Sequence, residues 1–497
     1  MTPSIRQNIH RLVRTSTALL ALAATTANAQ TLIDPDLTVQ TAVSGLQQPT
    51  SIVFLGPEDF LVAEKSTGQV KRIKGGVIQS VLDLPVNSAG YRGLLGIELH
   101  PQFATNGWAY VFYSRADADG GAWLENRISR FTWTGAAFTA SSERAIVTFA
   151  ADPNQNNGVI CSGGVMRFGP DGKLYGSTGD MTRGDFDNGR LEQNTSDTAV
   201  AGVGGLYRLN EDGSVPADNP FARQADPAVR RLIAYGVRDS FGITFDRNGA
   251  LWMTENGPEV YDEINLVRPG FNSGWLKIMG PDKRNAAFLR NQFTAYDEPA
   301  LVKLPGSHYD DPKFSFLQPI GITSLIWIES PLFPATLRGK LLVGDTNFGH
   351  LYAFSPNASR QDFALGGALS DAVADTPAER DQVVIGSGWG ITTDLKLGPD
   401  GYLYQVSISH GVVRRIKPRH PLGDLSGDGR LDTGDIMAFN VALSMPALHR
   451  LLYPGVDPRT TGDVNGDGAF NTRDAAAFYD LLLRYGQQAE RRPARAM

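Results

Sequence analysis

The sequence holds a single cysteine, Cys161, in 497 residues, so no disulfide can form within the chain. Rigidity must come from core packing and from any bound metal. Long apolar runs are missing too. The apolar stretch among the first thirty residues falls short of the ~20 residues that a membrane-spanning helix needs, and no later segment approaches that length. Basic charge is not in excess: 46 Lys and Arg stand against 52 Asp and Glu, a net charge of −6 with no basic stripe. A nucleic-acid partner is therefore not expected.

What is present begins with an export signal. Arg6, Arg11 and Arg14 precede a short apolar stretch, Ala18 to Ala24, and Ala27-Asn28-Ala29 offers a small-x-small cleavage site. Residues 1–29 read as a signal peptide, and the mature chain is expected to be secreted, whether to the periplasm, the cell surface or the medium. From residue 31 to 418 short apolar or alternating runs are punctuated by Gly, Asn and Asp. One phrase recurs: Phe168-Gly-Pro-Asp-Gly-Lys-Leu-Tyr175, Phe245-Asp-Arg-Asn-Gly-Ala-Leu-Trp252 and Leu397-Gly-Pro-Asp-Gly-Tyr-Leu-Tyr404, with Phe54 to Leu61 as a weaker copy. Each is a strand, a tight turn and a second strand. Such recurrence without a clear helix predicts an all-β fold of about six four-stranded blades around a channel. A β-helix or two stacked sandwiches would carry a similar pattern.

After a short linker, 419–423, the character changes. Asp424, Ser426, Asp428, Asp432 and Asp435 occupy positions 1, 3, 5, 9 and 12 of a loop whose sixth residue is Gly429, and the carbonyl of Arg430 stands at position 7. Asp463, Asn465, Asp467, Ala469, Asn471 and Asp474 repeat the pattern around Gly468. This is the oxygen-ligand spacing of EF-hand-like calcium loops. Each leads into an amphipathic helix, with Ile436, Phe439 and Leu443 on one face of the first. Phe478, Leu481, Leu482 and Tyr485 share a face of the second, which Gly486 would cap. Asp at position 12 and the 39-residue repeat resemble type I dockerin modules. The resemblance implies two structural calcium ions in a small α-helical module, 424–486, and a cohesin-like protein partner. Residues 487–497 read as a solvated tail.

The propeller region resembles the glucose/sorbosone dehydrogenase family. The matching phrases are Gly93 to Pro101, Gly163 to Gly172, Gly205 to Asn210 with Asp212 to Pro216, and Tyr235 to Gly242. Thr254 to Pro258, Asp262 to Asn265 and Gly270 to Trp275 follow in order. The resemblance implies a six-bladed β-propeller that oxidises sugars with pyrroloquinoline quinone (PQQ) and calcium. In such enzymes a His takes the proton, calcium polarises the quinone and an Arg stabilises developing charge. Carried over, Gly257 and Pro258 would hold the cofactor's calcium through their carbonyls, and Arg238 would face the quinone.

Other positions depart from the pattern. Cys161 stands where the family has its catalytic His, and a thiol with pKa near ~8.5 is a poor base at neutral pH. Asp239 replaces an Asn, and Asn347 falls near a cofactor-binding Lys. A pair of late arginines has no counterpart in Gly388 to Asp394. His100, His308 and His410 are other candidate bases, the first in a structural-looking turn. Arg238 and Glu255 could also form an ordinary ion pair, and Cys161 a buried strand start. Two readings follow: a secreted PQQ-dependent aldose dehydrogenase, and a non-catalytic propeller that binds a saccharide or protein ligand. Glycoside hydrolysis would need an opposed carboxylate pair that the sequence does not place.

Overall fold

A computed structural model describes residues 30–150, 161–181, 190–198, 200–284, 298–334 and 336–485. The signal peptide, Gly486 and the tail lie outside the described residues. Six sheets of four or five strands follow one another along the chain. Their first strands are Pro49–Gly56, Leu94–Leu99, Met166–Phe168, Gly242–Phe245, Ile322–Trp327 and Thr392–Leu397. Each first strand touches the first strand of the next sheet, and the sixth touches the first, which closes the ring. The expected six-bladed propeller is the fold observed. Closure uses the amino-terminal strand Leu37–Ser44, which pairs with Val412–Pro418 as the outer strand of the last blade.

The recurring phrase builds the turn between first and second strands. Asp171 Oδ1 accepts Lys173 N–H at 3.1 Å, and Oδ2 accepts the Tyr175 hydroxyl at 2.9 Å. Asp400 repeats both bonds with Tyr402 N–H and the Tyr404 hydroxyl, at 3.2 and 2.8 Å. Gly172 and Gly401, at φ +73° and +76°, supply the left-handed residue that completes each turn. Between blades, aromatic and aliphatic side chains fill the wedges; Trp252 and Trp327 meet edge to face at 5.4 Å.

The channel is bridged by charge. Arg167 of the third blade reaches Asp394 of the sixth at 2.8 Å, and Asp394 also accepts the Ser51 hydroxyl and Ile52 N–H of the first blade. Lys396 donates to Glu98 at 2.7 Å. One buried network thus ties four blades across the axis through the second, third, sixth and first sheets.

The carboxy-terminal residues form helices Gly434–Ser444, Pro446–Leu452, Pro458–Thr461 and Asp474–Tyr485. The first and last follow the two loops and stack Phe439 on Phe478 at 4.2 Å. The expected linker is not free chain. Leu422 is buried, Gly423 N–H donates to Thr461 O at 2.7 Å and Arg419 N–H to Asp36 O at 2.5 Å. Apolar side chains explain the difference: Leu422, Leu425, Phe478 and Leu481 form one cluster with Leu332 and Tyr402 of the propeller. Leu332 follows the end of a first strand, so this module sits at the end opposite to where the first strands begin.

Candidate active site

The loops that enter the first strands and leave the second strands gather at one mouth of the ring. Cys161 lies in such a loop, with a left-handed backbone of φ +66° that is uncommon outside glycine. Its carbonyl accepts Met181 N–H at 3.3 Å. A Cβ on Gly179 would lie 2.0 Å from that carbonyl, and one on Gly163 would lie 2.7 Å from Ser177 O, so only glycine lets the turn fold this tightly. The thiol is thereby fixed in place, with 1% of the residue exposed.

Arg238 and Asp239 enter the fourth blade. The Arg238 guanidinium donates from one nitrogen to Asn256 O at 3.0 Å and Gly257 O at 2.9 Å, and lies 5.4 Å from the Trp275 ring. The side-chain ion pair with Glu255 is not what forms. Glu255 instead accepts the backbone N–H of Arg238 at 2.7 Å and the Ser273 hydroxyl at 2.5 Å. Asp262 braces the same loop, accepting Gly257 N–H at 3.0 Å and Ile322 N–H at 2.9 Å. Asp180 completes the group. It accepts from Gln193 Nε2 and Trp275 Nε1 at 3.0 and 2.8 Å, and its N–H donates to Arg238 O at 2.8 Å.

Burial dominates the electrostatics. It lifts Asp239 to about 7, with Asp180 and Glu255 adding to the rise while Arg238 and Cys161 oppose it. Glu255 is pushed to about 7 and Asp262 to about 6, again chiefly by burial. Burial also opposes the charge on Arg238, but Cys161, Asp239, Asp180 and Asp262 more than offset it. At the rim, burial and the charge of Arg92 bring Lys65 down to about 8. Tyr91 stands beside this group, its phenol raised by burial and by Asp239 and Cys161. Among the described residues, buried oxygens without a hydrogen-bond partner at this mouth include Ser162 Oγ, Thr178 Oγ1, Glu192 Oε2, Asp239 Oδ1 and Thr323 Oγ1. Unspent hydrogen bonds of this kind suit a polar ligand.

The sequence singled out Cys161, Arg238, Asp239, Gly257 and Pro258, and the fold brings the first three and Gly257 together. Asn347 turns back to Pro319 O at 3.1 Å. His100 is structural, bonded to Glu211 and Asn106 at the far end of its strand. His308 sits beside Phe271 and Asp310 on a blade edge. His410 does reach the mouth, where Arg414 bonds its Nδ1 at 2.8 Å. Asp180, Trp275, Tyr91 and Lys65 were not anticipated as site residues. Trp275 lay within a matched phrase, and that was the one signal available.

At the other end of the chain the two loops adopt one conformation. Asp424 accepts N–H from Gly427 and Gly429; Asp463 accepts from Gly466 and Gly468. Asp435 accepts from Ser426 and Asp432, and Asp474 from Asn465 and Asn471. Asp428 and Asp467 each accept the N–H two residues on, from Arg430 and Ala469. Among the described residues no three His, Cys, Asp or Glu side chains converge as a metal-holding group.

The Glucose / Sorbosone dehydrogenase family matches residues 46–413. The chain belongs to that family. Among glucose/sorbosone dehydrogenase relatives, quinoprotein glucose dehydrogenase B of Acinetobacter calcoaceticus is 30% identical over 257 residues, 48% of this chain and 52% of that protein. Aldose sugar dehydrogenase of Escherichia coli is 25% identical over 388 residues, 76% of this chain and 91% of that protein. The chain spans only about half to three-fifths of the length of the first two curated relatives it matches. The PQQ-bound aldose sugar dehydrogenase of Streptomyces coelicolor shares the fold, at 21% identity and a TM-score of 0.55, over 79% of this chain and 99% of that one. No helix of the described residues is long and apolar enough to cross a membrane.

Proposed function

We propose that this protein is a secreted, PQQ- and calcium-dependent sugar dehydrogenase that oxidises an aldose or related carbohydrate. The observation that carries the reading is the braced loop at the mouth, where Asp262 and Arg238 hold Asn256 and Gly257 beside unpartnered buried oxygens. The residues suit an anionic planar quinone: Arg238 would face its carbonyls, and Lys65 and Arg92 supply cationic charge at the rim in place of the missing arginines. Gly257 and Pro258 would offer carbonyls to calcium, with Arg238 giving up its bond to Gly257 O. When bound, the quinone supplies a two-electron oxidant. The chain's own residues hold the sugar hydroxyl, keep water out and take up its proton in a buried, charge-rich pocket.

A second reading, a propeller that binds a saccharide or protein without turnover, is favoured by one observation. The catalytic His is a cysteine, and its sulfur is buried. Reconstitution with calcium and PQQ, followed by dye-linked oxidation across aldoses, separates the two. Turnover by the native protein supports the dehydrogenase. Quinone binding with turnover only in Cys161→His supports a scaffold that has lost its chemistry.

The carboxy-terminal residues are proposed to be a dockerin-like module that holds two calcium ions. Asp424, Ser426, Asp428, Arg430, Asp432 and Asp435 would ligate the first, and Asp463, Asn465, Asp467, Ala469, Asn471 and Asp474 the second. The matched hydrogen bonding of the two loops supports this, as does their oxygen spacing. The module would tether the enzyme to a cohesin-like partner. Calcium binding measured by calorimetry, with loss of one site in Asp424→Ala, tests it.

A further inference from the structure

We propose that Asp239, and not Cys161, accepts the proton of the sugar hydroxyl during oxidation, and that Cys161 is a positioning residue beside it. The inference rests on the dehydrogenase reading above.

Both positions break the family pattern, and the fold puts them in contact. Cys161 lies close enough to the Asp239 carboxylate to favour its charged form. A glycine-lined turn that tolerates no Cβ at Gly179 or Gly163 keeps the sulfur there. A thiol beside a carboxylate is a poor base, because the thiolate lies uphill beside that negative charge. Asp239 has what a base needs. Its Oδ1 is buried and carries no hydrogen bond, so one lone-pair site remains for an incoming O–H. Burial keeps its proton affinity near neutrality, where a general base works best.

The groups facing it are known. Arg238 lies beside it in sequence and moderates its charge, while Asp180 and Glu255 press for its protonation. Tyr91 stands beside it at the rim. In the step, the substrate O–H bond breaks and its proton passes to Asp239 Oδ1. The C–H hydrogen on the same carbon leaves with its electron pair to an o-quinone oxidant, and the C–O bond becomes a carbonyl. A bound o-quinone would take up both electrons, and Asp239 would return its proton to solvent.

The test compares the native protein, Asp239→Asn and Cys161→Ala, all loaded with calcium and PQQ. Quinone binding is followed by absorbance and turnover by dye reduction across pH. Infrared spectroscopy reads the protonated carboxyl band of the unloaded protein. Asp239→Asn should bind quinone yet lose turnover by roughly 100-fold or more. Cys161→Ala should keep turnover to within roughly 10-fold, with the acid limb of its rate profile moved to higher pH because a group that favours the charged carboxylate is gone. One component of the native carboxyl absorption should titrate near neutrality and be missing from the Asp239→Asn spectrum, while the contributions of Glu255 and Asp262 remain. Undiminished turnover in Asp239→Asn, or an unmoved limb in Cys161→Ala, overturns this inference alone. A native protein that binds no quinone or oxidises no sugar overturns the dehydrogenase reading, and this inference with it.

Discussion

Asp239 holds its proton to about 7 inside the fold, against a usual carboxylate value of 3.8, and burial is the main cause. A carboxylate whose folded pKa is raised stabilises the native state below its unfolded pKa, and that contribution is lost as pH rises through about 4 to 7. In the unloaded protein, Asp239→Asn removes the penalty. The variant should be more stable than native at pH 8, by on the order of 2–4 kcal/mol, and the gap should close toward pH 4. Urea unfolding at the two pH values checks it; equal gaps would contradict the assignment. Arg238→Gln tests the cation at the same scale. It should abolish quinone binding while leaving the fold intact, since Asn256 and Gly257 remain braced by Asp262 and Ile322. The proximity of single residues was legible where matched phrases carried them, as with Arg238 and Gly257, which meet at 2.9 Å. Asp180 was not, because it meets Trp275 across 95 residues of sequence and only the ring brings the two together.

At the scale of elements, local chemistry was the readable part. The recurring phrase folds as strand, turn and strand, and in two copies an Asp-to-Tyr bond spanning four residues braces the turn. The carboxy-terminal loops repeat their backbone bonding for the same reason. Helix Pro446–Leu452 escaped notice since its burial depends on a distant partner: His449 donates to Leu425 O at 2.9 Å. The channel network was equally hidden, being made of residues from separate blades. Arg167→Met should therefore be costly, because it strands a buried Asp394. A loss of ~3–5 kcal/mol is expected in urea unfolding, larger than for Lys71→Met on the partly exposed side of a blade.

The whole molecule depends on two long-range closures. Leu37–Ser44 seals the ring against Val412–Pro418, so removing residues 30–44 should open the last blade and yield a protein that aggregates or resists folding. The carboxy-terminal module shares a core with Leu332 and Tyr402, opposite the mouth. If the two loops hold calcium as proposed, Asp424→Ala should lower a calorimetric transition belonging to the module and expose that apolar patch, while quinone binding at the far mouth changes little. Sequence alone could order the blades; it could not show that the short connector after residue 418 packs into the module's core.

The central claim is that the mouth around Arg238 and Gly257 binds a quinone productively. Its most direct test is anaerobic titration of the mature protein with PQQ in calcium, followed by addition of an aldose. Saturable, stoichiometric binding, with bleaching of the bound quinone on aldose addition, is the result the account predicts. Quinone that stays free, or that binds and keeps its oxidised spectrum with every sugar tried, would contradict it.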